Sequence, residues 1–320
     1  MKEANHKSTV QGAWADGKFA DPDTTADGKR RAWVKPGKLT TLWFNTGTLC
    51  NLECVNCYIE SSPLNDRLVY ISTRDVCAYL DEIEREGLGT EQIGFTGGEP
   101  FMNPQMLPIL RECLVRGYRV LVLTNGMKPM MNRANELLEL VGQYGEQLEM
   151  RVSLDHYREQ EHARERGPRA WRPAIAGLKW LSENGFRIAV AGRTVWGETE
   201  ESMRQGFANL FATENILLDA HHPERLLLFP EMDESVETPE ITTECWGILG
   251  VSPDDMMCAS SRMVVKRKGQ ARASVAACTL LPYAEDFDLG QTLREALRPV
   301  KLNHPHCAKF CVLGGGSCSG

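Results

Sequence analysis

Three cysteines fall within eight residues, Cys50-Asn51-Leu52-Glu53-Cys54-Val55-Asn56-Cys57, directly after the apolar run Thr40-Thr41-Leu42-Trp43-Phe44-Asn45-Thr46. Thiolates are soft ligands that suit zinc or iron–sulfur clusters. A structural zinc site needs a fourth ligand to close its tetrahedron. None is local, because Cys77 lies in a helical pattern and no histidine occurs between His6 and His156. A cubane held by three cysteines keeps one iron open, as a catalytic metal site keeps an open position. A zinc knuckle completed from afar is the alternative.

A second group, Cys258, Cys278, Cys307, Cys311 and Cys318, gathers near the end of the chain, with Gly314-Gly315-Gly316 before the last. So short a region can scarcely bury a core of its own, so a metal is expected to hold it. Cys258 to Gly269 reads as a strand and a hairpin turn, with Cys278 on the returning side. His304 and His306 are alternate ligands, although Pro305 between them favours a turn. A structural zinc is the competing reading here too. Cys77 and Cys113 sit among apolar helical neighbours and read as inert buried thiols. Cys245, beside Trp246 in the segment that bridges the two cysteine groups, has three readings: a hydrogen-atom donor at a cavity mouth, a packing residue, or a further ligand.

The elements that must position these groups follow from periodicity. Strand-like runs at 39–45, 92–96, 119–124, 149–154, 187–193 and 225–229 alternate with helical patterns at 73–86, 104–116, 132–142, 170–184 and 200–212. The stretch 216–218 competes for the last strand. In the first helix Val76, Tyr79, Leu80 and Ile83 share one face. Such alternation implies an α/β fold with a parallel sheet covered by helices, and six units make a partial barrel. In such folds chemistry gathers where strands end.

The strand ends are polar. The second closes on Thr96-Gly97-Gly98-Glu99-Pro100, where two glycines let a backbone approach closely and Glu99 is expected to place a carboxylate at the mouth. The third closes on Thr124-Asn125-Gly126 and the fourth on Ser153-Leu154-Asp155. Arg193 ends the fifth and Glu231 follows the sixth; each suits either a substrate contact or a structural ion pair. The run from His156 to Gly167 is dense in charge and reads as a solvated helix.

Composition bounds the rest. The 320-residue chain is 42% hydrophobic and 25% charged, ordinary for a soluble globular protein of one large and one small domain. A net charge of -7 with no basic block argues against a protein held mainly by nucleic-acid phosphates. Residues 1–37 carry no apolar signal core and read as an extension with little regular structure, pinned by Trp14, Phe19 and Trp33. No stretch is long enough to span a bilayer, so no membrane role is expected. Eleven cysteines without a signal peptide point to metal binding in a reducing compartment, hence a cytoplasmic location.

Taken in order, Cys50, Cys54 and Cys57 followed by Tyr58, then Gly97-Gly98-Glu99-Pro100, then Ser153-Leu154-Asp155, resemble the radical S-adenosylmethionine (radical SAM) superfamily. The resemblance covers roughly 40–232. It implies a partial (β/α)6 barrel, similar to a TIM barrel, with a [4Fe-4S] cluster on Cys50, Cys54 and Cys57. The open iron would chelate S-adenosylmethionine, whose reductive cleavage would give a 5′-deoxyadenosyl radical that abstracts a substrate hydrogen. By the same resemblance the Gly97–Pro100 turn holds the cofactor's amino group, Ser153 lies near its carboxylate or ribose, and Tyr58, Asp155 and Arg193 also belong to the cofactor site. Thr124 and Asn125 line the cavity, and Arg166, just before Gly167, helps bind the cofactor.

The C-terminal cysteines resemble a twitch or SPASM extension carrying an auxiliary [4Fe-4S] cluster. Its implied ligands are Cys258, Cys278 and two of Cys307, Cys311 and Cys318, fewer than the fuller SPASM set. The implied layout is 1–37 extension, 38–232 barrel, 233–257 bridge and 258–320 auxiliary domain. A flavodoxin- or ferredoxin-like protein would supply electrons. Two outcomes compete for the substrate radical: loss of an electron to the auxiliary cluster, giving oxidation or bond formation, or quenching by Cys245, giving an epimer. A small-molecule substrate is the first expectation, because 1–37 shows no obvious peptide-binding domain, and peptide maturation is the second. A non-catalytic zinc or iron–sulfur scaffold would explain the cysteines alone.

Overall fold

The computed structural model describes residues 17–230 and 236–316. Trp14, Glu231 and Cys318 lie outside the described residues.

Six parallel strands form the body of the sheet: β2 (Thr41–Asn45), β3 (Gln92–Thr96), β4 (Arg119–Thr124), β5 (Leu148–Ser153), β6 (Arg187–Arg193) and β7 (Leu226–Phe229). They lie side by side in chain order, so all their C-terminal ends open on one side. All five residues of β2 are buried, as a central strand covered on both faces requires. Its Trp43 ring lies over Gly94 of β3, where an added Cβ would come within 2.4 Å of the ring. The stretch 216–218 forms no strand, and Leu226–Phe229 takes the sixth place.

Between these strands run α1 (Thr73–Glu86), α2 (Met106–Val115), α3 (Lys128–Met131), α4 (Ala134–Tyr144), α5 (Glu159–Arg166), α6 (Trp171–Glu183) and α7 (Glu200–Glu214). Helix α1 starts on a capping box between Ser72 and Asp75, and its face of Val76, Tyr79, Leu80 and Ile83 is buried as the periodicity requires.

The C-terminal stretch shares the barrel's sheet. After α8 (Cys245–Leu249) and α9 (Met257–Ser260), β8 (Ser261–Val265) pairs in parallel with β2, and β9 (Ser274–Ala276) returns antiparallel to it. The sheet order is β7-β6-β5-β4-β3-β2-β8-β9. The expected strand and return are present, but the strand starts at Ser261 with Cys258 on α9, Cys278 lies just past β9, and their apolar residues join one continuous core with the barrel. That supplies the burial so short a region cannot generate alone.

From residue 17 onward the N-terminal segment is also more ordered than its composition suggests. A short strand, β1 (Trp33–Val34), pairs antiparallel with β10 (Val300–Lys301), which follows α10 (Leu293–Ala296). Phe19 is buried. The Arg31 guanidinium is buried against the Glu240 carboxylate and donates to the carbonyls of Asp21 (2.7 Å) and Thr24 (2.8 Å).

Candidate active site

The loop between β2 and α1 carries Cys50, Cys54 and Cys57 across the C-terminal ends of the strands. It is closed on itself by Thr48 N–H to the Leu68 carbonyl (3.0 Å) and Cys50 N–H to the Ser62 carbonyl (3.1 Å). Gly97 and Gly98 form the seat beneath it. Gly98 N–H donates to the Gly47 carbonyl (2.8 Å) and Glu99 N–H to the Leu49 carbonyl (3.1 Å). Gly97 has φ +141°, a conformation side chains rarely adopt, and a Cβ on Gly98 would stand 2.2 Å from the Leu49 carbonyl oxygen. The close backbone approach expected of these glycines is therefore made by the cysteine loop itself.

All three cysteines line one cavity. Leu52 N–H donates to the Cys50 sulfur (3.4 Å), and Ser61 N–H to the Cys57 sulfur (3.3 Å). Asn125 Nδ2 stands 4.0 Å from the Cys50 sulfur. Amide donors aimed at sulfur favour the thiolate and are the groups that tune iron–sulfur ligands. Burial pushes the Cys50 thiol up to about 12. Burial also raises Cys54, against the opposing pull of the Arg166 guanidinium. Thiols so protonated bind metal by losing their protons to it.

The remaining strand ends close the cavity. Thr124 and Asn125 line it at the end of β4, Ser153 and Asp155 at the end of β5, and Arg193 at the end of β6. Tyr58, Gly97, Gly98 and Arg166 line it as well. Arg166 and Asp155 form a buried bidentate pair, Nε to Oδ2 at 2.6 Å and Nη2 to Oδ1 at 3.0 Å. Burial pushes the Asp155 carboxyl up, but Arg166 outweighs it and holds it below the usual range. Removing one partner of such a pair costs about 3–5 kcal/mol. Helix α5 is thus solvated on one face only, with its Glu161–Arg164 pair outside and His162 and Glu165 buried.

Two expected positions are corrected. Glu99 is 1% exposed and turned inward, not placed at the mouth. Its carboxylate accepts from Thr124 Oγ1 (2.8 Å), Asn125 N–H (2.8 Å) and Phe101 N–H (3.2 Å). Burial pushes it up to about 7 against these bonds. It braces the β3 turn, which Pro100 continues as a buried 3-10 turn, to the β4 turn. Cys245 is not among the residues that line the cavity. Backbone bonds from Ala32 N–H to the Ile241 carbonyl (2.8 Å) and Thr243 N–H to the Arg30 carbonyl (3.1 Å) tie its segment to the N-terminal arm. Its sulfur accepts from Thr242 N–H at 3.3 Å. Cys245→Ala is expected to change cofactor cleavage and product formation less than twofold; deuterium incorporation from solvent that vanishes in this variant would contradict that.

Several lining residues escaped the sequence reading. Glu165 pairs with Arg193 (2.7 Å) and accepts from Asn56 Nδ2 (3.1 and 3.2 Å), so it locks the cysteine loop to β6. Asn56 lies between two cysteines and Glu165 beside Arg166, which was the available signal. Arg151, Leu280 and Phe310 also line the cavity; the last two come from the C-terminal stretch.

A second, apolar cavity is lined by Cys258, Cys278, Cys307 and Cys311. His306 lines it as well, and Leu280 borders both cavities. Cys307 and Cys311 sit on a π-helical turn, Cys307–Val312. Burial and the neighbouring Cys278, Cys311 and Cys258 sulfurs raise the Cys307 thiol. Among the described residues no three His, Cys, Asp or Glu side chains close on one ion-sized point. A tetrahedral zinc with 2.3 Å bonds would draw its sulfurs to about 3.8 Å apart.

Comparison with known proteins agrees with this geometry. Over 143 residues the chain is 34% identical to the antilisterial bacteriocin subtilosin biosynthesis protein AlbA of Bacillus subtilis, covering 44% of this chain and 30% of that protein. Over 156 residues it is 28% identical to the Fe-coproporphyrin III synthase of Methanosarcina barkeri, covering 49% and 37%. The chain thus spans about a third of the length of these relatives. Its fold is similar to that of Streptococcus suis SuiB, solved with S-adenosylmethionine (TM-score 0.55, 13% identity, 80% of this chain and 63% of that one). SuiB with its precursor peptide SuiA gives TM-score 0.55 at 12% identity, over 88% and 66%. Residues 44–207, half of the chain, match the radical SAM superfamily. The chain therefore belongs to the radical SAM superfamily, whose enzymes use S-adenosylmethionine and a [4Fe-4S] cluster.

Proposed function

We propose that Cys50, Cys54 and Cys57 would hold a cluster supplying reductive cleavage of S-adenosylmethionine for hydrogen abstraction from a small molecule, and that an auxiliary cluster would accept the electron the substrate radical gives up as it loses a proton. The observation that carries this reading is the single cavity in which the three cysteines meet polar ends of four neighbouring strands. When bound, the cofactor and cluster supply reductive sulfonium cleavage and hydrogen-atom abstraction.

The chain's own residues do the positioning. Leu52 N–H and Ser61 N–H hold the sulfurs in orientation, and the Glu165 bridge fixes the loop that carries them. Asp155 holds Arg166 beside Cys54, where its positive charge favours the thiolate. Phe229, Leu280 and Phe310 give the cavity an apolar wall that keeps water from a reactive intermediate. Arg151 and Arg193 also line the cavity, and each stands beside a carboxylate, Glu149 and Glu165 respectively. Cys258, Cys278, Cys307 and Cys311 would supply the donor set for the auxiliary cluster.

A second reading, modification of a peptide, is favoured by the 34% identity to a bacteriocin biosynthesis protein. The test is anaerobic incubation of the reconstituted enzyme with dithionite and S-adenosylmethionine, reading 5′-deoxyadenosine. Cleavage above the blank is expected, accelerated at least tenfold by the small-molecule fraction of a cell extract. Acceleration by the peptide fraction alone would replace the small-molecule reading with the peptide one. No cleavage at all would leave an iron–sulfur or zinc scaffold.

A further inference from the structure

Strand β8 sets Arg262 opposite Leu42 of β2, and the side chain is 1% exposed. Its guanidinium donates only to backbone carbonyls: Nε to Ala296 (2.9 Å), Nη1 to Ser261 (2.7 Å) and Cys258, and Nη2 to Arg298 (3.3 Å). The buried Arg31 and Arg166 differ, each having a carboxylate in contact. Carbonyl dipoles solvate a cation but leave its net charge in place. A guanidinium stays protonated throughout the physiological range, so this charge persists in a low-dielectric setting. An uncompensated buried ion is strongly unfavourable.

Negative charge is available from one direction. Burial pulls the Arg262 pKa down, and the Cys258 and Cys278 sulfurs oppose that pull. Both cysteines line the apolar cavity with Cys307 and Cys311, and the guanidinium is bonded to the backbone of Cys258 itself.

We propose that Arg262 is the buried counter-charge of a cluster on Cys258, Cys278, Cys307 and Cys311 and raises that cluster's reduction potential. The inference rests on the auxiliary-cluster reading given above. Reduction adds one electron and one negative charge to the cluster and moves no proton. A fixed positive charge beside it stabilises the reduced form more than the oxidised one, and net charge is among the factors that set such potentials. Arg262 touches no substrate and acts through the cluster as a tuning charge.

The experiment uses the Cys50/Cys54/Cys57→Ala chain, so that only the C-terminal cluster reports, with Arg262 kept, R262Q or R262K. Iron content is measured, and the midpoint potential is read by a mediated dithionite titration followed by electron paramagnetic resonance. The parent chain is expected to hold about four irons. In R262Q the one-electron reduction equilibrium should fall at least tenfold, a shift of about 59 mV to lower potential. R262K, which keeps the charge, should move less than a third as far. An unchanged potential in loaded R262Q overturns the proposal while the auxiliary-cluster reading stands. A parent chain without iron overturns that reading and the proposal with it. Should R262Q fail to fold, R262K decides: a retained potential supports the charge as the determinant, and a fall as large as that expected of R262Q overturns it.

Discussion

Cys54→Ala folds but cleaves no S-adenosylmethionine. Cys54 sits in a loop, half-buried, with its thiol facing the cavity beside Arg166 and not the apolar core. Replacing it removes one sulfur and few packing contacts, so stability is expected to change by about 1 kcal/mol or less. A cubane deprived of one of three ligands loses its hold. Iron should fall by about four per chain, the irons of one cubane, and 5′-deoxyadenosine should drop to the blank. Persistent cleavage in a folded Cys54→Ala chain would remove this cysteine group from the chemistry.

Gly98→Ala breaks the same site without touching a ligand. The new Cβ would stand 2.2 Å from the Leu49 oxygen, 2.6 Å from the Leu49 carbonyl carbon and 2.8 Å from the Thr48 oxygen. These are backbone atoms, so the residues leading into Cys50 must move. The bonds from Gly98 N–H to Gly47 and Glu99 N–H to Leu49 are strained with them. Overpacking of this kind costs about 1–3 kcal/mol. Iron at the N-terminal site is expected to fall at least twofold and cofactor cleavage more than tenfold, with the C-terminal cysteines unaffected. Gly142→Ala in α4 is the control: its Cβ would meet nothing within 4 Å, and alanine favours a helix by about 1 kcal/mol. Equal losses in both variants, read by melting temperature and iron content, would rule out the steric account.

Much of this site was legible in the sequence because local signals determine it. The six barrel strands are buried apolar runs, and their polar ends mark the cavity directly, from Thr124 and Asn125 to Ser153 and Arg193. What escaped depends on pairings distant in sequence. Strand β1 has two residues and finds its partner at Val300–Lys301, so no local pattern announces it. The pairing of β8 with β2 is equally invisible, yet it brings the second cysteine group against the barrel and sets Leu280 between the two cavities. Glu99 was read by its charge and expected at the mouth. Its three hydrogen-bond donors come from Phe101, Thr124 and Asn125, two of them on another strand end. Cys245 was read by its position between domains, but bonds to Arg30 and Ala32 decide where that segment lies.

The measurement closest to the central claim is iron, sulfide and zinc content after anaerobic reconstitution, on the wild-type chain and on the Cys50/Cys54/Cys57→Ala variant. Two cysteine-held cubanes predict about eight irons per chain falling to about four, with matching sulfide and no zinc. About four irons falling to none, with zinc retained in the variant, would contradict the auxiliary cluster and leave the C-terminal cysteines a structural zinc site.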